Sequence, residues 1–517
     1  MSHGFRFTRG AVSALGIAAI VSLAVSGCSS PGTPAPAESA KSGGSLVVGV
    51  TSDPDTLFPW KATQFQAVNV LQNVYGTLTE FDGDLNVVPG LAESWDASED
   101  GLTVTLKLRE GVTFADGSTF GSEDAVSSLT KIQEQATAAV SRSALASVTA
   151  IEASDENTVL LTLSAPDAAL PASLAVINMA MLSSDDTEEA LNTTPNGTGA
   201  YSFDTRAANQ SITLVKNTAY WGDEPTLKSV EFRVIPDESS IVSAMQSGNV
   251  QMAVFDDPLV AQTAESGTIT IAKTPQLSYH ALQLNATRGD LTDVNVRLAI
   301  SCAIDRQEVL DTAALGEGEV TGPITSPAYK SDTDARPCPE RDLKKAAAYL
   351  AKAGKADGVT IKTIVSQGEY ATSVNESQNL KAQLAEAKIT LDVETLESGA
   401  YVDRWIAGDF DAAVALNGGR PDPDGMYGRY FTSTGNLNKV AGYSSPELDA
   451  LFAEGRASSD PKDRAAIYEK VSAELEDNAA WVWLFTSYSY TATDSAVQGF
   501  VPMANGSLQY LRTTTVN

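Results

Sequence analysis

Tyr75-Gly76-Thr77-Leu78-Thr79-Glu80-Phe81-Asp82, then Pro89-Gly90-Leu91-Ala92-Glu93-Ser94-Trp95, Asp100-Gly101-Leu102-Thr103-Val104 and Leu108-Arg109-Glu110-Gly111-Val112-Thr113-Phe114-Ala115-Asp116-Gly117 make up the stretch on which the fold turns. Within it, Leu102, Val104, Leu106 and Leu108 alternate with Thr103, Thr105 and Lys107. A period of two places the apolar side chains on one face of a strand and leaves the other face wet. The same alternation returns at Val159, Leu161 and Leu163, and at Val230, Phe232 and Val234. Leu46-Val47-Val48-Gly49-Val50 is continuously apolar, as in a strand covered on both faces, and runs into the turn-rich segment Ser52 to Trp60. Helices interleave with these strands. Asp460 is placed to cap one, with Pro461 at its first position and Ile467, Val471 and Leu475 at four-residue spacing. Ser445-Pro446 opens another, burying Leu448, Leu451 and Phe452. Strands and helices mixed over this length, with no repeat of fixed period, predict an α/β protein of two or three lobes.

The start of the chain specifies where it works. Arg6 and Arg9 precede the apolar run Ala11 to Val25, and Leu23-Ala24-Val25-Ser26-Gly27-Cys28 follows the pattern of a lipoprotein signal. The run is too short for a spanning helix. Cleavage after residue 27 would leave Cys28, acylated, as the first residue. Ser29 to Gly44 then offers no large apolar side chain to bury and reads as a tether. The chain carries 35 Lys and Arg against 65 Asp and Glu, a net charge of −30, and loss of the two leader arginines makes the mature form more acidic still. That balance argues against nucleic acid or anionic lipid as a broad-surface partner. Attachment to the membrane is expected through the lipid alone. Cys302 and Cys338 would reach an oxidising compartment, where a disulfide and two free thiols both stay open, because sequence does not give their separation.

The four opening blocks resemble, in order, the signature of extracytoplasmic solute-binding proteins of bacterial family 5, the receptors of peptide and nickel importers. Later blocks agree: Gly197-Thr198-Gly199-Ala200-Tyr201 with Asn217 to Gly222, Leu284-Asn285 with Val296 to Arg306, and the two helices from Ser445 to Asn478. The resemblance implies a type II periplasmic-binding-protein-like clamp. Residues 45–74, 195–280 and 482–517 would form the first lobe, 75–194 an additional subdomain of it, and 281–481 the second lobe. Chain crossings near Tyr279 to Asn285 and Trp481 to Phe485 would serve as the hinge. The implied partners are a small-molecule or peptide ligand and the permease subunits of an ATP-driven importer, with the receptor a monomer outside the cytoplasm. No cofactor is implied, and no Gly-x-x-x-x-Gly-Lys-Ser/Thr motif occurs.

In that family an Asp-Pro-Asp-like turn followed by aromatics approaches the ligand, which maps here onto Asn417, Gly419, Arg420, Asp422, Asp424 and Tyr427. The two charged anchors of dipeptide binders fall on Gly419 and Gln367, and both charges are missing. A zwitterion entering a closed cleft must recover its hydration through charge-assisted contacts, so a plain dipeptide is disfavoured. Arg420 offers a two-pronged grip to a carboxylate or phosphate, unless Asp422 or Asp424 pairs with it. Asp256 and Asp257 are partners for a free amine. Tyr279, Trp405, Tyr427 and Trp483 are stacking candidates, against a reading as core.

Other chemistry finds little support. Direct metal binding lacks ligands, since His280 is the sole histidine after the leader. Asp82, Asp84, Asn86 and Glu93 copy a calcium-loop spacing, but Val87 stands where that loop needs glycine, which predicts a β-turn instead. There is no Gly-x-Ser-x-Gly, so a serine hydrolase would have to be built around His280.

Overall fold

The computed structural model describes residues 44–367 and 372–517. Cys28 and its surroundings lie outside the described residues. Among those described, twelve strands join in one sheet. Ser45–Val50 lies parallel to Ser229–Val234 and to Met252–Phe255, so the carboxyl ends of all three emerge at the same edge. Val48 and Leu46 are buried there, as the unbroken apolar run predicts.

The strand Trp481–Asp494 holds the sheet together. Its first half pairs antiparallel with Tyr279–Leu284 and Gly318–Val320, its second half with Met252–Phe255 and Ile269–Pro275. The change of partner falls at Phe485 to Tyr488, opposite the connection Gln276 to Ser278. There the Gln276 backbone N–H donates to the Ser487 carbonyl at 2.9 Å, and the Thr486 hydroxyl donates to the carbonyls of Gln276 and Ser278. Beyond Tyr279–Leu284 the sheet continues through Ala412–Asn417 and Val359–Gln367 to Ile389–Glu397. Side chains on opposite faces of the long strand enter different cores: Trp481 and Trp483 one, Val482, Leu484 and Phe485 another, Tyr490 and Ala492 a third.

A separate antiparallel sheet contains Thr103–Leu108 and Thr158–Leu163 side by side, flanked by Ala92–Ala97 and Val148–Asp155. Val104, Leu106, Leu108, Val159, Leu161 and Leu163 are buried in it, on the face that their alternation specifies. The mimic of a calcium loop is a tight hairpin connection, with the Asp82 carboxylate accepting from the backbone N–H groups of Asp84 and Asn86. Both helix starts are capped as expected. Asp460 accepts from the N–H groups of Lys462 and Asp463, and Ser445 from that of Leu448. Cys302 and Cys338 form a disulfide.

Candidate ligand-binding site

The loop that leaves Ala412–Asn417 is fixed by a chain of hydrogen bonds, buried from Gln283 onward. Trp405 Nε1 donates to Gln283 Oε1 (2.6 Å), Gln283 Nε2 donates to Asn417 Oδ1 (2.9 Å), and Asn417 Nδ2 donates to the Tyr430 hydroxyl (3.0 Å). Gln283, Asn417 and the Tyr430 hydroxyl are buried, so each of their bonds holds the next. Past Asn417 the loop turns as Gly418-Gly419-Arg420-Pro421-Asp422. Gly419 lies directly on the backbone of Leu277, and a Cβ at 419 would collide with the Leu277 carbonyl. The position at which the resemblance expects an anchoring carboxylate therefore has no room for any side chain.

The two acids that follow are already engaged. Asp422, buried, pairs with Arg464 at 2.8 Å and accepts from the Asp424 backbone N–H at 2.9 Å. Asp424 pairs with Arg456 at 2.7 Å. Burial, reinforced by Asp422 and Asp167, raises the Asp424 carboxyl to about 6, although Arg456 opposes the change. With both acids taken, the exposed Arg420 guanidinium makes no hydrogen bond or ion pair among the described residues. Its pKa is lowered by the surrounding protein and then by the nearby cation of Arg429.

Arg420 faces a cavity of about 600 Å³. The carboxyl ends of Ser45–Val50 and Met252–Phe255 contribute Val50, Thr51, Val254 and Asp256, which is the edge where open α/β sheets bind ligands. Gln276 to Ser278 and, packed against them at Gly419, Gly418 to Asp422 add to the lining; Phe65, Val140, Ala169 and Val176 come from elsewhere in the chain. The volume and the mixed lining suit a small organic ligand. Asp256 accepts from Gln276 Nε2 at 3.3 Å. Its carboxylate stays open to solvent within a concave wall, and the surrounding protein mass raises its pKa. Glu238 lines the same end, raised by burial and then by the charges of Asp256 and Asp257.

Of the residues singled out from sequence, Gly419, Arg420, Asp422 and Asp256 line the cavity together. Asn417, Asp424 and Trp405 stand behind its wall, holding the loop. Tyr279, Tyr427 and Trp483 are fully buried and pack on one another, with ring centroids 5.7 Å apart for Tyr279 and Tyr427 and 6.1 Å for Tyr427 and Trp483. Their faces are used by the core. Gln367, at the exposed end of its strand, lies outside the lining. Phe65, Val140, Glu238 and Gln276 line the cavity and were not foreseen. Their one available signal was indirect: Glu238 follows closely on the carboxyl end of the parallel strand Ser229–Val234.

His280 bonds Glu376 through Nδ1 (2.8 Å) and Ser487 through Nε2 (3.1 Å), in the order of a hydrolase row. None of the three lines the cavity, and Phe485 stacks on the imidazole at 4.2 Å. Among the described residues no group of three or more His, Cys, Asp or Glu is placed to hold a metal, and no helix is long and apolar enough to cross a membrane.

A mixed α/β sheet with a ligand-sized cavity at its strand ends defines a binding protein of the type II periplasmic class. The profile of bacterial extracellular solute-binding proteins, family 5 Middle, matches residues 86–438, and the chain belongs to that family. Its members are solute-binding proteins. The chain is 27% identical over 473 residues to the probable di/tripeptide-binding protein 5 of Pseudomonas aeruginosa, covering 84% of this chain and 88% of that one. It is 26% identical over 470 residues to the glutathione-binding protein GsiB of Escherichia coli, covering 88% and 91%. The solved structure of HbpA2 from Haemophilus parasuis superposes with a TM-score of 0.83 at 25% identity, covering 92% of this chain and all of that one.

Proposed function

We propose that the protein captures peptides, or a related small solute, in the 600 Å³ cavity and delivers the ligand unchanged to the permease of an ATP-driven importer. It does so as a monomer tethered outside the cytoplasm through acylated Cys28. The observation that carries this reading is the cavity itself, whose lining draws on all three parts proposed for the clamp: Val50 and Asp256 from the first lobe, Ala169 and Val176 from its subdomain, Arg420 and Asp422 from the second lobe. A ligand touching all three rewards closure about the proposed hinge, near Tyr279 to Asn285 and Trp481 to Phe485. The pairing of these two segments, His280 opposite Phe485 and Gln283 opposite Trp481, supports two crossings side by side, as the reading requires. The relatives named for di- and tripeptides and for glutathione support a peptide-like ligand.

Arg420 favours a ligand with an acidic group, such as a peptide carboxylate or an anionic non-peptide. Native mass spectrometry of the soluble form starting at Ser29, followed by a thermal-shift screen of peptides, sugar phosphates and opine-like acids, tests the assignment. Co-purified peptide masses, or a shift with peptides, is the expected result. A shift only with anionic non-peptides would move the protein out of the peptide branch, and no shift with any class would remove the transport reading. Arg420→Ala should weaken the true ligand at least tenfold, about 1.4 kcal/mol.

A further inference from the structure

Apart from the ligand cavity, a much smaller one of about 10 Å³ lies where the helix Phe65–Val74 ends against the run Thr198 to Ala200. The two stretches meet backbone to backbone. The Gly199 N–H donates to the Val74 carbonyl at 2.8 Å, and a Cβ at Gly197 or Gly199 would strike the carbonyl of Val74 or Asn73. A side chain at Gly76 would likewise collide with the Thr198 hydroxyl. Gly76 and Gly199 both line the small cavity, and no residue lines both cavities.

Three residues of this lining carry buried polar atoms with no hydrogen-bond partner in the protein: Asn73 Oδ1, Thr198 Oγ1 and Trp221 Nε1. Eleven such side-chain atoms occur among the described residues, so three in one lining of twelve residues is a concentration. Asn73 and Thr198 are 1% and 0% exposed, and a polar atom buried that deeply is costly to leave unbonded. The amide of Asn73 has a settled orientation, because its Nδ2 donates to the Asn69 carbonyl at 2.8 Å. What remains is the acceptor. The Trp221 indole is held by the Arg109 guanidinium, 4.6 Å from the ring centroid, and its N–H is a donor only. The charged groups of the lining are taken up by one another: Arg512 pairs with Glu80 at 2.8 Å and donates to the Tyr220 hydroxyl at 3.2 Å.

The unmet set is therefore one acceptor, one donor and one hydroxyl that serves as either. A metal cation or an ammonium group cannot accept from the indole, and an anion has no hydrogen to give Asn73 Oδ1. A neutral molecule with both capacities satisfies all three, and a volume of about 10 Å³ admits one water and nothing larger. We propose that the small cavity is a binding site for a single ordered water, which accepts from Trp221 Nε1, donates to Asn73 Oδ1 and bonds the Thr198 hydroxyl. That water ties together the end of the helix Phe65–Val74, the run 198–200 and the segment Tyr220–Trp221, which are far apart in sequence. It is part of the fold, whatever solute the ligand cavity takes.

The test is a crystal structure of the soluble form starting at Ser29, at a resolution that places ordered water. One water peak at hydrogen-bonding distance, about 2.7–3.2 Å, from all three atoms is expected. Direct bonds among the three atoms, or a peak identified as an ion by its anomalous signal, would overturn the proposal. A double-mutant cycle with Thr198→Val and Trp221→Phe reads the same site in solution. Groups that share one water are coupled, so the double variant should lose clearly less in urea midpoint than the two single losses added together. Strictly additive losses would overturn a shared water, and the wild-type density decides the matter where a variant fails to fold.

Discussion

Asp424 shows how a residue behind the cavity wall sets the conditions under which the wall holds. Its carboxyl, raised to about 6 first by burial, keeps its proton more tightly in the fold than in the unfolded chain, where the pKa is about 3.9. A raised native pKa contributes stability that is complete below about pH 4 and is lost as pH rises through 6. Urea midpoints of the wild type and Asp424→Asn, measured from pH 4 to 7, should therefore change relative to one another, with the wild type losing about 1–3 kcal/mol against the variant across that window. Parallel curves would mean that the carboxyl is not perturbed. Asp422 and Arg464 are both buried and joined at 2.8 Å. Asp422→Ala leaves the guanidinium without its counterion and should cost about 3 kcal/mol in the same assay. Sequence placed Asp422 and Asp424 near the ligand but could not say that each already had an arginine, because Arg456 and Arg464 arrive from helices some 30 to 40 residues on. Gly419 was legible as a departure from the expected acid, whereas its cause was not, since Leu277 comes from a connection far away in sequence.

At the scale of elements, what depends on neighbours in sequence could be read directly. Ser445 and Asp460 cap the helices that they precede, and the strand faces follow their alternation, because caps and pleats are decided within a few residues. Ser445→Ala should lower stability by about 1 kcal/mol, read as a shift in denaturant midpoint with unchanged slope. Contacts between elements needed coordinates. Tyr279, Tyr427 and Trp483 have the composition of a stacking site, yet they close a core between a strand, the helical segment Asp424–Gly428 and the long strand, packing on one another. The disulfide spans 36 residues between Cys302 and Cys338. Replacing both cysteines by serine should remove about 2–4 kcal/mol, mainly by freeing the unfolded chain, with ligand affinity unchanged, since neither lines the cavity.

At the scale of the whole molecule, the family blocks carried the architecture further than any single element, because four blocks in order fix topology as well as secondary structure. The cavity's apolar side was not legible: Phe65 and Val140 lie 75 residues apart and share no pattern.

The long strand has a consequence for how the protein comes into being. Trp481–Asp494 comes late in the order of the described elements, yet it occupies the middle of the sheet and pairs with four other strands. Until the ribosome has released nearly the whole described chain, Tyr279–Leu284 and Met252–Phe255 lack their central neighbour, and contacts of such long sequence separation form late. On the proposed route out of the cytoplasm such an order would help a chain that crosses unfolded, since its keystone would follow most of the described residues through the channel.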